Sequence, residues 1–508
     1  MTAERCSILD LGSNSFHVLV ADLDGHRLTP VLREREMLHL GRVVARHGTI
    51  PDEPRREAVE TVRHLSELAR RSGAQQRLAV ATSALRDAAN GAKVIAELSE
   101  VAGSTVQVLD GNEEARLGYL GVRASVAVRD EPTLVLDLGG GSLELAIGEG
   151  DQVAWSDSVP LGASRLSAQV TKDPLCSREQ RAIEEFVDAE LDPLIDTIRG
   201  HAPATTVTVG GTVRSLARIA AIDEAVWLPA TINQLRVTRK ELTRLRDLLV
   251  ALDLDGRLEV PGMKTRRADH LHIAAIVLVR VLERLEIATT TVSDWGLREG
   301  ILFDANGVTT PPLPDVLRIS EIGRIRETFV PDDPHPLHVA GLATQLFDAC
   351  HDLHGLDDRD GELLRHAAEL HSVGEAVALR RQHQHGAYLV EHAELRGFDP
   401  DEAAILTTLV RFHRSRGIDR HYPPFATLRE ADQDRVRRLL ALLHVADGLD
   451  RARDQAVTGV QVRHHGRRVD LRLSGGGLHA TDTELERRTR LFCRTFDVEV
   501  SVTDPALG

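Results

Sequence analysis

The chain has 508 residues, 42% apolar and 27% charged. That is room for about three to four domains with ordinary cores, and it excludes disordered, collagen-like and disulfide-scaffold classes. The formal net charge of −15, from 62 basic and 77 acidic side chains, argues against a general nucleic-acid coat and leaves a local basic groove open.

Four of the basic residues are Lys and the rest Arg. Arg suits bidentate phosphate contacts, but a biased genome composition explains the excess better. Cys6, Cys176, Cys350 and Cys493 are scattered without Cys-x-x-Cys spacing, which points to a reducing cytoplasm and no structural zinc. No apolar signal core precedes Asp10, and the most apolar stretch, Ile273 to Leu282, is short and carries Arg280. No membrane segment is expected.

Residues 7–10 run into Leu11-Gly12-Ser13-Asn14-Ser15 and then Phe16 to Val20, the pattern of a β-hairpin with a Gly turn. Residues 133–137 run into Leu138-Gly139-Gly140-Gly141-Ser142 and then Leu143 to Ile147. The second unit repeats the first 127 residues later, which predicts two duplicated α/β domains facing each other. Between them the pattern predicts a helix over 54–71, a strand over 77–81, a helix near 92–101 and a strand over 106–109. After the second hairpin it predicts a helix over 178–199, a strand over 205–209, a helix from Val213 and a long helix over 267–285. Residues 293–303 close the second domain. The Pro-rich stretch from Asn306 to Asp315 reads as a linker. Beyond it, between His335 and His479, lie 15 of the 23 His, and the pattern is all helical to about Arg453. A small α/β cap follows, with strands over 457–462 and 469–473 and a helix over 484–493. The boundaries are therefore 1–120, 121–306, 307–453 and 454–508.

A Gly-rich turn between strands points several backbone N–H groups one way and can cradle an anion. Asp at the strand end repels a phosphate, but it can hold a divalent cation or position a water. A single Asp-x-Gly hairpin is most often a plain turn; two copies carry far more weight. Arg86 sits near the start of a short helix that Thr82 or Ser83 can cap. An acid is the ordinary choice there, so a ligand anion is one explanation for the Arg. Glu113 and Glu114 open another helix after Asp110-Gly111-Asn112. Acids in a first turn are ordinary, and a general base for water is the alternative. Gly210-Gly211-Thr212 follows a strand and is a further anion or nucleotide loop.

Taken together, Asp10-Leu-Gly-Ser-Asn-Ser15, Ala81-Thr-Ser-Ala-Leu-Arg86, Gly111-Asn-Glu-Glu-Ala-Arg116, Asp137-Leu-Gly-Gly-Gly-Ser142 with Glu144, Gly210-Gly-Thr212, Arg267-Ala-Asp269 and Leu297-Arg-Glu-Gly300 resemble, in order and spacing, the exopolyphosphatase/guanosine pentaphosphate phosphohydrolase family. The motifs cover residues 7 to about 303. The resemblance implies the duplicated actin and sugar-kinase (RNase H-like) fold. It implies that Asp10, Ser13, Asn14 and Ser15 form one phosphate loop and Gly139, Gly140, Gly141 and Ser142, after Asp137, the other. Arg86 would bind the terminal phosphate, Glu114 would activate water, and Asp10, Asp137 and Glu144 would hold Mg²⁺, with K⁺ as a further candidate. Gly210, Gly211 and Thr212 would contact the substrate or nucleotide. A homodimer is implied as well.

In the C-terminal half, His338, Glu369-Leu-His371-Ser372, His413 and Asp447 resemble the HD phosphohydrolase helical domain. That site needs adjacent His-Asp as metal ligands, and Ser372 is a poor ligand, so a degenerate HD-like domain is expected. Two basic segments, Arg380 to Tyr388 and Arg411 to Arg416, either line a polyanion groove or are solvated faces. Arg435, Arg437 and Arg438 are expected to be a solvated helix face. The leading expectation is a Mg²⁺-dependent, processive exopolyphosphatase, with removal of the γ-phosphate of guanosine pentaphosphate (pppGpp) as the alternative. A kinase of the same fold and a non-catalytic sensor are less well supported, because the candidate acids and Arg86 are all present. Neither nucleic acid nor membrane is an expected partner.

Overall fold

The computed structural model describes residues 4–25, 27–128, 131–222, 227–308, 314–476 and 482–503. The predicted linker falls largely outside them. The chain forms two compact units, residues 1–224 with 232–317, and residues 225–231 with 318–508.

In the first unit the strand Glu4–Leu11 buries a continuous run, Cys6 to Leu9. Such runs belong to strands covered on both faces. It pairs antiparallel with Ser15–Asp24, which pairs antiparallel with Arg27–Met37. On its other side it pairs parallel with Gln76–Ala81, followed by Gln107–Val108. The second sheet repeats this order. Thr133–Leu138 pairs antiparallel with Leu143–Glu149, then Gln152–Val159. On the other side lie Thr205–Val209 and Thr289–Val292, both parallel, and the short antiparallel edge Arg236–Thr238. Two such sheets are those of the actin-like ATPase fold.

The register equates residues of the two halves. Asp10 lies opposite His17 across the first hairpin, and Asp137 lies opposite Glu144 across the second. On the parallel side Asp10 pairs with Val80 and Asp137 with Val209. The third strand of each sheet escaped the sequence pattern because neither alternates cleanly between polar and apolar residues and both are largely exposed or half-buried. The predicted strand over 106–109 pairs only at Gln107–Val108, and the long helix begins at Leu271, after a 3₁₀ turn over Thr265–Arg267.

The helix Gly111–Arg123 is capped by Asp110, whose carboxylate accepts the Glu113 N–H at 2.8 Å. It crosses Leu297–Ala305 at two glycines. A Cβ on Gly300 would lie 1.8 Å from the Leu117 carbonyl oxygen, and one on Gly121 would lie 2.0 Å from that of Gly296. Only bare backbone fits.

In the second unit His335–Ala349, Asp358–Leu370, Pro400–Phe412 and Glu430–Leu449 enclose one core containing Leu346, Leu363, Leu406 and Leu439. Val457–His465, Arg468–Gly475 and Glu499–Thr503 form a three-stranded sheet; its last strand, absent from the sequence reading, pairs parallel with the middle one. Three expectations are corrected here. Arg435, Arg437 and Arg438 are half-buried rather than a fully solvated face: Arg435 grips Asp360 and Asp432, Arg437 lies over the Phe425 ring and Arg438 donates to the His354 carbonyl. His413 is fully buried and lines no surface groove. His338 donates to the Val457 carbonyl at 2.8 Å, and His335, one turn earlier, faces His371 instead. Among the described residues no helix is long and apolar enough to cross a membrane.

Candidate active site

The two hairpin turns meet in a cleft of about 190 Å³ within the first unit. Its walls include Asp10, Ser13, Asn14, Ser15, Glu114, Asp137, Gly139, Gly140, Gly141, Ser142, Glu144, Gly210, Gly211 and Thr212. Arg86 stands behind Glu114, donating to its Oε1 at 2.5 Å and to the Leu109 carbonyl at 2.7 Å.

Several of the small residues are fixed by packing as well as by any ligand. Ser13 Oγ meets Ser83 Oγ at 2.7 Å and accepts the Ala84 N–H at 3.1 Å. The Asn14 carboxamide oxygen accepts from the Ser164 hydroxyl, and its backbone carbonyl accepts two further N–H groups, from Leu38 and His39. A Cβ on Gly140 would lie 2.6 Å from the Asn14 side chain, and one on Gly141 would lie 2.1 Å from Ser83 Oγ. Gly210 has φ +102°, where L side chains are strained, and a Cβ there would meet Asp137 Oδ1 at 2.7 Å. These glycines let the two halves touch. The Gly139 N–H closes the turn onto the Ser142 carbonyl at 3.0 Å.

Two opposed charge clusters share the cleft. On one side are Asp10, Glu114, Asp137 and Glu144. Burial raises all four carboxyls above the ordinary range, and neighbouring carboxylates push Asp137, Glu144 and Glu114 further. Asp137 reaches about 6, Glu144 about 7 and Glu114 about 9. Ser158 donates to Glu144 at 3.1 Å. On the other side stand Arg35, Arg214, Arg267 and Arg298. Burial, with Arg35, Arg214 and Arg266 nearby, lowers Arg267 to about 9. Burial and the same cations drive His17 well below its usual range. The offsets are partial: Arg86 pairs with Glu114, Arg214 with Asp294 at 3.3 Å, and Arg298 stands 3.9 Å from Asp10.

Arg35, Arg214 and His17 had no place in the sequence reading, and Arg267 and Arg298 stood in motifs without a role. Arg214 carried a usable signal. It sits in the first turn of the helix Gly211–Ile222, where a cation opposes the helix dipole, as for Arg86. Arg35 lies on a strand invisible to the pattern, and only the fold brings it to the cleft.

The donor set suits a hard divalent cation: two buried and two half-buried carboxyls with raised proton affinity, whose basic neighbours are Arg86, Arg214 and the distant Arg298, 3.9 Å from Asp10. Among the described residues, however, the ligand atoms that all lie within 4.8 Å of one another belong to a different group, in the second unit. Asp10, Asp137 and Glu144 therefore do not form a closed first shell.

A duplicated actin-like fold with an acid cluster and an arginine cluster across its central cleft defines a phosphate-handling enzyme. The family model for the Ppx/GppA phosphatase family matches residues 19–307, and that for Ppx/GppA phosphatase domain III matches residues 317–488. The chain belongs to the Ppx/GppA phosphatase family, whose members hydrolyse phosphoanhydrides. Among solved structures it is similar to an exopolyphosphatase from Cytophaga hutchinsonii, with 28% identity, TM-score 0.56, 61% of this chain and 100% of that one covered. It is also similar to the Aquifex aeolicus family member, with 26% identity, TM-score 0.52, and 60% and 98% covered.

Proposed function

We propose that the chain is an exopolyphosphatase that removes terminal phosphates from inorganic polyphosphate, one after another. The observation that carries this is the pairing, in one cleft, of an acid cluster with an arginine cluster, each only partly offset by its own ion pairs. A polyanion accompanied by a divalent cation satisfies both. A solved structure of similar sequence bears the exopolyphosphatase name.

Phosphoryl transfer to water needs little covalent work from the protein; position and charge do most of it. Glu114 is the base. Its carboxyl is presented at a helix start; Arg86, 2.5 Å away, opposes but does not cancel the burial and the Glu144 charge that hold it up at about 9, and a divalent cation among the acids would supply the further positive charge that favours the ionised form. In that form Glu114 accepts a proton from water aligned with the terminal phosphorus. Arg86, behind Glu114 rather than on the cleft wall, acts by holding that carboxylate in place. Backbone N–H groups of the two hairpin turns and the N-terminus of the helix Gly211–Ile222 face the phosphate chain. Asp10, Asp137 and Glu144 would hold Mg²⁺ directly or through water. When bound, it supplies charge neutralisation for the transferring phosphate and the acids. Arg35, Arg214, Arg267 and Arg298 continue the positive wall beyond the reacting end and favour a long anion.

The test compares phosphate release from long-chain polyphosphate and from pppGpp with Mg²⁺, for wild type and Glu114→Gln, at two salt concentrations. Polyphosphate turnover that falls with salt, as polyanion contacts do, and vanishes in the variant is expected. Preference for pppGpp would reassign the substrate and keep the site. No release from either substrate by folded protein would overturn the hydrolase mechanism.

A further inference from the structure

Outside the cleft, three buried side chains of the helical unit converge on one point. His335 opens the helix His335–Ala349, His371 ends Asp358–Leu370, and Asp447 lies near the end of Glu430–Leu449. All are at most 1% exposed. His335 Nε2 and His371 Nε2 are 3.2 Å apart, and each is 3.6 Å from Asp447 Oδ1.

The second bond of each imidazole fixes its tautomer. His335 Nδ1 donates to the Asp450 carboxylate at 2.7 Å, and that carboxylate is itself held by the Gln455 N–H at 2.9 Å. His371 Nδ1 donates to the Ala368 carbonyl at 2.6 Å. Carbonyl and carboxylate oxygens can only accept, so in the neutral rings both Nε2 atoms present lone pairs to each other. Two facing lone pairs repel unless a proton or a cation lies between them. Arg488 takes Asp447 Oδ2 at 2.8 Å, leaving Oδ1 buried with no hydrogen-bond partner. Ser372 Oγ and His413 Nε2, both buried, also lack one. His413 donates through Nδ1 to the Val410 carbonyl, so its Nε2 is a lone pair too. Its ring centroid is 5.1 Å from that of His371.

The triangle has the dimensions of a coordination face. Zinc bonded to nitrogen or oxygen at about 2.0–2.1 Å in a tetrahedron spaces its donors by roughly 3.3–3.4 Å. The observed edges are 3.2, 3.6 and 3.6 Å. Imidazoles oriented by outer carboxylate and carbonyl partners are the usual companions of a metal. Two nitrogens and one carboxylate select zinc-like transition metals over Mg²⁺ or Ca²⁺. We propose that His335, His371 and Asp447 bind one divalent transition-metal ion, of the Zn²⁺ class, that clamps three helices of this unit. The loss of an acid at Ser372 removes one ligand of the expected pattern, and His335 completes a three-residue set without it.

The test uses the full chain, stripped with chelator and then loaded with Zn²⁺, or with Co²⁺ as a visible reporter. After gel filtration the wild type is expected to keep about one Zn²⁺ per chain more than His371→Gln. The two share every surface His, so adventitious binding cancels. Zn²⁺ should raise the melting temperature of the wild type and not of the variant. Co²⁺ should give visible d–d absorption in the wild type that Glu144→Gln, altered only in the cleft, retains. Equal Zn²⁺ content in wild type and His371→Gln overturns the proposal. So does absent Co²⁺ absorption in folded wild type, a measurement that needs no variant; a proton on His335 then fills the gap.

Discussion

Across the first hairpin Asp10 faces His17, and across the second Asp137 faces Glu144. The strands, the turn and the leading Asp are shared; the facing residue is not. His17 lies among arginines, its Nδ1 accepting from Arg298 at 3.0 Å and its Nε2–H donating to Ser15 Oγ at 2.8 Å, whereas Glu144 lies among acids. Duplication supplied one scaffold twice. Divergence at the facing position then set an imidazole among the arginines at one turn and a carboxyl among the acids at the other, while each wall of the cleft draws residues from both halves. A symmetric pair of phosphate loops, the simplest inference from the repeat, would lack this polarity.

The comparison can be broken most severely at the base. Glu114→Gln is expected to lower kcat by roughly 10²–10⁴-fold with little change in melting temperature, measured by phosphate release and calorimetry. Retained turnover would mean that the acid wall does not serve catalysis through Glu114. Next come the glycines. Gly141→Ala places a methyl against Ser83 and should cost on the order of 1–3 kcal/mol in denaturant titration. Gly139→Ala, whose Cβ would sit 3.4 Å from the nearest atom, should cost distinctly less.

The pH dependence sharpens the contrast between Glu144 and His17. Burial raises Glu144 from 4.5 to about 7, so between those values the folded protein binds more protons than the unfolded chain. Stability then falls as pH rises through that window and levels off above it. Without divalent metal, Glu144→Gln should flatten the melting-temperature profile between pH 4.5 and 7. His17 is shifted the other way: the unfolded chain takes up its proton first as pH falls, so His17→Gln should relieve a loss of stability on the acid side of 6.5. Identical profiles for the two variants would show that the walls do not differ in charge. The smallest effect is expected from Arg35→Gln, which should raise KM for long polyphosphate a few-fold, leave kcat unchanged, and reduce the salt slope by about 1 unit.

Much of this architecture was legible beforehand. Buried central strands and Gly-rich turns announce themselves, so both hairpins, their repeat and the Asp at each strand end could be read directly. The helical second unit was visible from its periodicity. What stayed hidden depends on tertiary placement. Arg35 lies on a polar edge strand, and only sheet register brings it to the cleft. The Gly140 and Gly141 positions read as an anion cradle, yet contact with Asn14 and Ser83 demands them equally. His335 was passed over for His338 because one helical turn decides which imidazole faces inward, and a motif match does not resolve a turn.

The crossing of Gly121 and Gly300 has a consequence for insertions and deletions. A helix turns about 100° per residue. Adding one residue between Glu114 and Gly121 would leave the bare-backbone contact two choices: keep its glycine, and swing Glu114 about a quarter of a circle out of the cleft, or keep Glu114 aimed and drive a side chain into the carbonyl of Gly296. The seven-residue interval from Glu114 to Gly121 thus works as a gauge block, and natural length variation in this protein should accumulate almost anywhere else before it appears there.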